Sequence, residues 1–284
     1  MVGGRTGSVD RGVPASTYGG DVRESEYLLT NASDETVPRF DALAEAFDAL
    51  TTEHLVRIGV ASGWRCLELG AGGGSIASWL ADQVGPAGRV VATDIDISRV
   101  RAGSLDQLEV RRHDLVTEDL PTGPWDLIHE RLVLQHVPAR LEVLDRIVAA
   151  LAPGGWVVLE DFDTAEVRTT DRGGPDHELI ARVAVAFNEL LRSRGGVSSF
   201  AANARRELMR RGLVDIGSSG RVSIASGGTG FARAVAANTS QVRDQLESTG
   251  FTAAEVDHFL EVIADPDTLV GSPVLISTWG RQPI

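Results

Sequence analysis

From Arg65 to Asp161, short apolar runs alternate with helix-patterned stretches, and this rhythm constrains the fold more than any other feature of the chain. The runs are Arg65–Leu69, Arg89–Asp94, Leu108–Arg112, 125–130 and 156–161, each bounded by turn residues. Helical patterns cover Ser75–Val84 and about 138–151, with a short helix expected near 98–103. Strands joined through helices run parallel, and the helices then cover both sheet faces. The expected class is α/β: a doubly wound, mostly parallel sheet with helices on both faces.

The flanks read differently. Residues 1–20 are rich in Gly, Ser, Thr and Arg without apolar periodicity, a composition that does not offset the entropy of ordering, so a disordered N-terminus is expected. Over 21–60 a helical cap is expected, because Leu43, Phe47, Leu50, Leu55, Val56 and Ile58 recur at helical spacing and Pro38 stands near a helix start. The main domain then occupies 61–284, with helical lid insertions at about 165–212 and 228–268. Helices are expected at 175–194, 200–211, 231–248 and 252–264, the last opened by a Thr252/Glu255 capping box. Strand-like segments cover 214–224 and 273–279. Leu179, Val183, Phe187, Leu190 and Leu191 form one apolar stripe, and Val256, Phe259, Leu260 and Ile263 another. Such stripes pack on the domain or roof an acceptor pocket, and one left uncovered would favour a homodimer.

Composition narrows the partners. The net charge is −13, without a Lys/Arg cluster, so a phosphate backbone would be repelled and nucleic acid is not an expected partner. No run of about 18 apolar residues and no apolar leader is present, which points to a soluble, cytoplasmic protein without a membrane partner. The lone cysteine, Cys66, has no partner for a disulfide and sits among apolar neighbours as a small buried residue. No His/Cys/Asp/Glu cluster has metal-ligand spacing, and no metal is expected.

The chemistry concentrates at the strand ends. In an open parallel sheet a ligand sits beyond the carboxyl ends, and glycines let the first loop approach it closely. Glu68-Leu-Gly70-Ala71-Gly72-Gly-Gly74 stands at that point. The glycines alone would equally serve a dinucleotide or a tight turn. Glu68 sharpens the reading, because a carboxylate there repels a pyrophosphate and suits the cationic amino group of an amino-acid moiety. Charge therefore favours a sulfonium amino acid over NAD. Ser75, where the third dinucleotide glycine would fall, also argues against an NAD-dependent oxidoreductase, the rival enzyme class. Asp94 ends the second strand, where a carboxylate accepts hydrogen bonds from both ribose hydroxyls. Asp114, just after the third strand, can accept from an adenine amino group. Singly, each acid is more often a cap or turn former. Three at successive strand ends read together as a site.

The stretch from Leu67 to Asp161 resembles the class I, seven-stranded Rossmann-like methyltransferase family. The acid-x-Gly-x-Gly-x-Gly motif carries the resemblance, with Asp126-Leu-Ile on the fourth strand and Leu151-x-Pro153-Gly154-Gly155 before the fifth. The resemblance implies S-adenosylmethionine as cofactor and a small-molecule acceptor of apolar or aromatic character, methylated on O, N or C. It also implies an antiparallel pair of final strands, for which 214–224 and 273–279 are the candidates. Gly70 and Gly72, with Ala71 between them, would meet the methionine portion, Asp94 the ribose, Ile95 one adenine face, and Asp114 with Leu115 the adenine edge.

Methyl transfer from a sulfonium is an in-line displacement in which alignment supplies most of the barrier reduction. His136, after the fourth strand, is the candidate catalytic base, with Tyr18 or Tyr27 as candidate partners; its other role is to brace the loop. Glu130 and Arg131 either border the methionine end or pair with each other. Arg39 either folds over the cofactor carboxylate or stays solvated. Asp161 and Asp163 bind the acceptor or cap the next helix, and His177 in the lid is a more distant base. A methyltransferase-like scaffold with another role, such as assisting a cyclisation, is the alternative, because alignment alone can drive reactions.

Overall fold

The computed structural model describes residues 28–29, 33–101, 103, 105–165 and 176–284. The expectation for residues 1–20, and Tyr18 and Tyr27, lie outside the described residues. In chain order the elements are α1 (Thr36–Ile58), β1 (Arg65–Leu69), α2 (Ser75–Val84), β2 (Arg89–Asp94), β3 (Leu108–Arg112), β4 (Trp125–Arg131), α3 (Arg140–Ala149) and β5 (Leu151–Asp163). There follow α4 (His177–Ser193), α5 (Phe200–Arg210), β6 (Val214–Arg221), β7 (Ile224–Ser226), α6 (Gly230–Gln241), α7 (Arg243–Ser248), α8 (Ala253–Ala264), β8 (Leu269–Gly271) and β9 (Val274–Arg281).

Seven strands form one sheet in the order β3-β2-β1-β4-β5-β9-β6. The first five are parallel, and β9 runs antiparallel between β5 and β6. The chain steps outward from β1 to β3 and then returns to the other side of β1 with β4. That reversal leaves a crevice above the adjacent ends of β1 and β4, where ligands bind in open α/β sheets. Cys66, Leu67, Leu69, Val90 and Val91 are fully buried, as strands covered on both faces require.

Several elements differ from the expectation. The Pro153-Gly154-Gly155 segment belongs to β5, which begins at Leu151; a bulge opposite Trp125–Leu127 absorbs it, and proline and glycine are tolerated in strands at such irregularities. The helix expected near 98–103 is a single 3-10 turn, Ile97–Arg99, capped by the Asp96 side chain. The 231–248 helix divides at Val242 into α6 and α7, and the 214–224 strand ends at Arg221. Ile224–Ser226 leaves the main sheet and pairs with β8 in a two-stranded sheet. The Thr252/Glu255 capping box is present, with both reciprocal hydrogen bonds.

A second core layer lies between α1 and the lid helices. Phe47 of α1 meets Phe162 at the end of β5 and Phe231 of α6 edge to face, at centroid distances of 5.4 and 5.9 Å, and Phe162 and Phe231 are 5.8 Å apart. These three rings join cap, sheet and lid beside the crevice. The stripe residues of α4 and α8 are all buried or half-buried, so neither stripe is left uncovered to ask for a second copy. Among the described residues no helix is long and apolar enough to cross a membrane.

Phe47 is fully buried, and Phe47→Ala is expected to destabilise the fold by about 3–5 kcal/mol. Urea unfolding measures this, and a loss below about 1 kcal/mol would show that the site collapses around the cavity.

Candidate active site at the switch point

The first loop is shaped by backbone that only glycine adopts without strain. Gly70, Gly72 and Gly74 have φ of 68°, 53° and 85°. Ala71 N–H donates to Thr93 O at 2.9 Å, and Gly74 N–H returns to Ala71 O at 2.8 Å, which turns the chain into α2. A Cβ on Gly70 would lie 2.2 Å from Cγ2 of Val133, so the loop is pressed against the segment that follows β4.

Asp94 holds this loop from the end of β2. Its Oδ2 accepts from Gly72 N–H at 2.9 Å and its Oδ1 from Asp96 N–H at 3.1 Å. Burial raises its pKa against the pull of those backbone donors. Asp114 likewise accepts from Val116 N–H at 2.9 Å and from the Thr117 hydroxyl, shaping the turn after β3.

A cavity of about 810 Å³ opens at these strand ends. Glu68, Gly70, Ala71, Gly72, Asp94 and Ile95 line it, as do Asp114, Leu115, Arg39 and His136. Ile95 keeps 37% of its surface exposed, an apolar side chain at the cavity wall. Arg39 is buried beside Phe40, its guanidinium carbon 4.9 Å from the ring centroid. His177 begins α4 and is not a lining residue.

Glu130, read from the sequence as a cofactor contact, does not line the cavity. Successive strand residues point to opposite faces, and Glu130 turns under the loop rather than into the crevice. Its Oε2 accepts from Val133 N–H at 3.0 Å and Leu134 N–H at 3.3 Å. Burial and the neighbouring Asp161 push its carboxyl well above the usual range, and burial raises Asp161 as well. Asp161 Oδ1 accepts from Gln135 N–H at 3.3 Å, extending the brace, whereas Asp163 accepts from Ala165 N–H at 3.1 Å as a turn former. Nor does Arg131 pair with Glu130. It reaches α1 instead, donating to Asp48 at 2.8 Å and to Thr51 at 3.0 Å.

Two functional neighbours went unread in the sequence. His129, fully buried, lies opposite Glu68 in the β1/β4 register and bonds its Oε2 through Nδ1 at 2.7 Å. Its Nε2 is 3.4 Å from Glu160 of β5. Glu160 also accepts from Ser277 of β9 at 2.5 Å and from Thr51 of α1. Burial opposes the charge on His129, but Glu68 and Glu160 outweigh it and hold its pKa at about 9. Burial likewise opposes Glu160, yet His129, Ser277 and Thr51 bring it down to about 2. The signal was an ionisable residue in each of two apolar runs, Leu127-Ile-His129 and Val158-Leu-Glu160, since a buried charge requires a partner.

His136 ends the 3-10 turn after β4. Burial, then Arg39 and Arg140, depress its pKa to about 4, so the ring is neutral at pH 7. Gln135 fixes it: the amide oxygen accepts from Phe162 N–H at 3.2 Å, which turns the amide nitrogen toward His136 Nε2 at 3.1 Å. Among the described residues, no group of three or more His, Cys, Asp and Glu could hold a metal ion.

Comparison with known proteins agrees with this geometry. A methyltransferase-domain family model matches residues 34–212. The chain is 33% identical to methyltransferase str2 of Strobilurus tenacellus over 147 residues, 51% of this chain and 52% of that protein. It is 32% identical to a trans-aconitate 2-methyltransferase of Variovorax paradoxus over 134 residues, 46% of this chain and 49% of that protein. The chain thus spans about half the length of the curated relatives it matches. The fold is similar to that of phosphoethanolamine N-methyltransferase 2 of Haemonchus contortus, solved with S-adenosyl-L-methionine. There the TM-score is 0.55 at 16% identity, covering 90% of this chain and 58% of that one.

The Glu68–His129–Glu160 chain makes stability depend on pH with a definite sign. The folded pKa of His129, about 9, lies above its ordinary 6.5, so its contribution is complete below pH 6.5 and is lost as pH rises to 9. His129→Leu leaves two carboxylates buried without their cation and is expected to destabilise by about 3–5 kcal/mol. Thermal melts of the wild type should fall toward the variant between these pH values, and parallel curves would contradict the assignment.

Proposed function

The chain belongs to the methyltransferase-domain family, and from that premise we propose that it transfers the methyl group of S-adenosylmethionine to a small-molecule acceptor. One observation carries the proposal: Glu68 and the buried cation Arg39 line the same cavity as the glycine loop, Asp94 and Ile95. An acid and a base together suit the zwitterionic end of an amino acid, and a further acid followed by an apolar wall suits a nucleoside.

The residues fit this cofactor in detail. Gly70 and Gly72, with Ala71, bring backbone to the methionine portion, and no side chain fits at Gly70. Asp94 uses one lone pair on each oxygen for the loop and retains acceptor capacity for the ribose hydroxyls. Ile95 and Leu115 offer apolar faces to adenine, and Asp114 its edge. When bound, S-adenosylmethionine supplies an activated methyl group. The protein's part is to hold the acceptor in line with it and to exclude water, which the lid helices α4, α6 and α8 do by lining the same cavity. Its volume lies toward the upper end of the roughly 300–1,000 Å³ usual for ligand sites, which suits a cofactor and an acceptor together.

His136 lines the cavity as a neutral imidazole and is the candidate base; because its Nε2 accepts from the Gln135 amide, it takes up an acceptor's proton there only where that bond is released. The protein is read as cytoplasmic, with neither nucleic acid nor a membrane as partner, and the net charge of −13 supports the first of these exclusions. A nicotinamide dinucleotide would set its pyrophosphate against Glu68, and the methyltransferase names of the relatives leave the cyclisation reading without support.

Titration calorimetry with S-adenosylmethionine tests the proposal. Binding is expected in the wild type, and Asp94→Ala should raise the Kd by at least about tenfold, the loss of one good hydrogen-bonded contact to a charged group. Binding of NAD without S-adenosylmethionine would sink the proposal. His136→Ala should slow formation of S-adenosylhomocysteine by about 10²-fold while leaving cofactor Kd unchanged. Loss of folding instead would assign His136 to bracing the loop.

A further inference from the structure

The lining residues beyond the nucleotide site carry information about the acceptor. Ile180, Val183 and Phe187 of α4, Phe231 of α6, and Phe259 and Ile263 of α8 make an apolar wall. These three helices contribute no charged side chain to the lining; its charged groups are Arg39, Glu68, Asp94, Asp114 and Arg131, from α1 and the strand ends, and Arg194, which caps α4. Arg194 lies just past α4 and is exposed. What the helices do contribute are amides, Asn188 and Asn238, and the hydroxyl of Thr239.

Asn238 is distinctive among them. Its Oδ1 is buried and accepts no hydrogen bond among the described residues. Three residues on, at the spacing of one helix face, both amide atoms of Gln241 are in the same state. Buried polar atoms are nearly always paired in native proteins, so an orphaned oxygen on a cavity-lining residue such as Asn238 marks capacity for a ligand; Gln241 is not a lining residue. The orphaned atom is an acceptor, so it calls for a donor on the ligand, a hydroxyl or an amide N–H. A carboxylate would bring only acceptor oxygens to this orphaned acceptor, whereas a hydroxyl or an amide brings the proton it lacks.

We infer that the acceptor is a molecule with an apolar body that docks a hydroxyl or an amide N–H against Asn238 Oδ1, and that a carboxylate does not substitute for that group there. This rests on the reading of the cavity as an S-adenosylmethionine site and adds the substrate class to it.

The test uses the full chain saturated with S-adenosylhomocysteine. Calorimetric binding of that ligand comes first; its failure would remove the methyltransferase reading itself, whatever the acceptor probes do. The saturated protein is then titrated with para-phenylphenol, with para-phenylbenzoate and biphenyl as its charged and unfunctionalised counterparts, and with trans-aconitate. Para-phenylphenol is expected to bind about tenfold more tightly than either counterpart, a difference of about 1.4 kcal/mol, and more tightly than trans-aconitate, which brings neither the apolar body nor the donor. Asn238→Leu should abolish the advantage of para-phenylphenol over biphenyl while sparing the affinity for S-adenosylhomocysteine. The wild-type comparison stands without the variant should Asn238→Leu not fold. The inference is overturned if para-phenylbenzoate or trans-aconitate binds as tightly as para-phenylphenol, if the advantage survives in Asn238→Leu, or if para-phenylphenol does not bind at millimolar concentration.

Discussion

A chain of three buried ionisable groups, Glu68, His129 and Glu160, runs across β1, β4 and β5, and much of the remaining structure is arranged around it. Charges removed from water are tolerated only when geometry pairs them closely and hydrogen bonds satisfy what is left over. Here that requirement fixes the register of Glu68 against His129 and draws Ser277 of β9 and Thr51 of α1 onto Glu160. Arg131 and Asp48 extend the contact between sheet and helix. The N-terminal cap is therefore tied to the sheet by polar pairing as well as by Phe47, and the same helix brings Arg39 and Phe40 to the cavity. Glu68 in turn is held with its carboxylate at the cavity wall.

The opposite face of β4 solves a different problem. Glu130 and Asp161 lie side by side in the interior and accept backbone N–H groups from residues 133 to 135. This brace sets Val133 against Gly70 and aims the turn that carries His136. Adjacent residues of one strand thus do unlike work: His129 pairs with Glu68 at the cavity wall, Glu130 braces the loop after β4, and Arg131 ties the strand to α1. Strand alternation alone produces that division.

The features legible in the sequence were local ones. Alternating apolar runs revealed β1 to β5, the glycines and the acids at strand ends marked the crevice, and the Thr252/Glu255 pair marked the start of α8. Features that depend on distant partners were not legible. The β7–β8 pair joins segments more than forty residues apart, and nothing local distinguishes Ile224–Ser226 from a continuation of β6. The Pro153-Gly154-Gly155 segment carries strong turn composition, yet pairing with β4 and β9 holds it within β5. Glu130 was drawn to the cavity by its place after an apolar run, and only the direction of its side chain shows that it serves the loop. His129 and Glu160 were visible as residues but not as partners.

The central claim is that the switch point recognises the amino-acid end of S-adenosylmethionine through Glu68, held in place by His129. Binding of S-adenosylhomocysteine and of methylthioadenosine, which keeps the nucleoside but lacks the amino-acid end, measures that recognition as a ratio of Kd values in wild type and in Glu68→Gln. The account predicts a strong wild-type preference for S-adenosylhomocysteine that shrinks by at least about tenfold in the variant, with methylthioadenosine binding little changed. An equal ratio in the two proteins would contradict it.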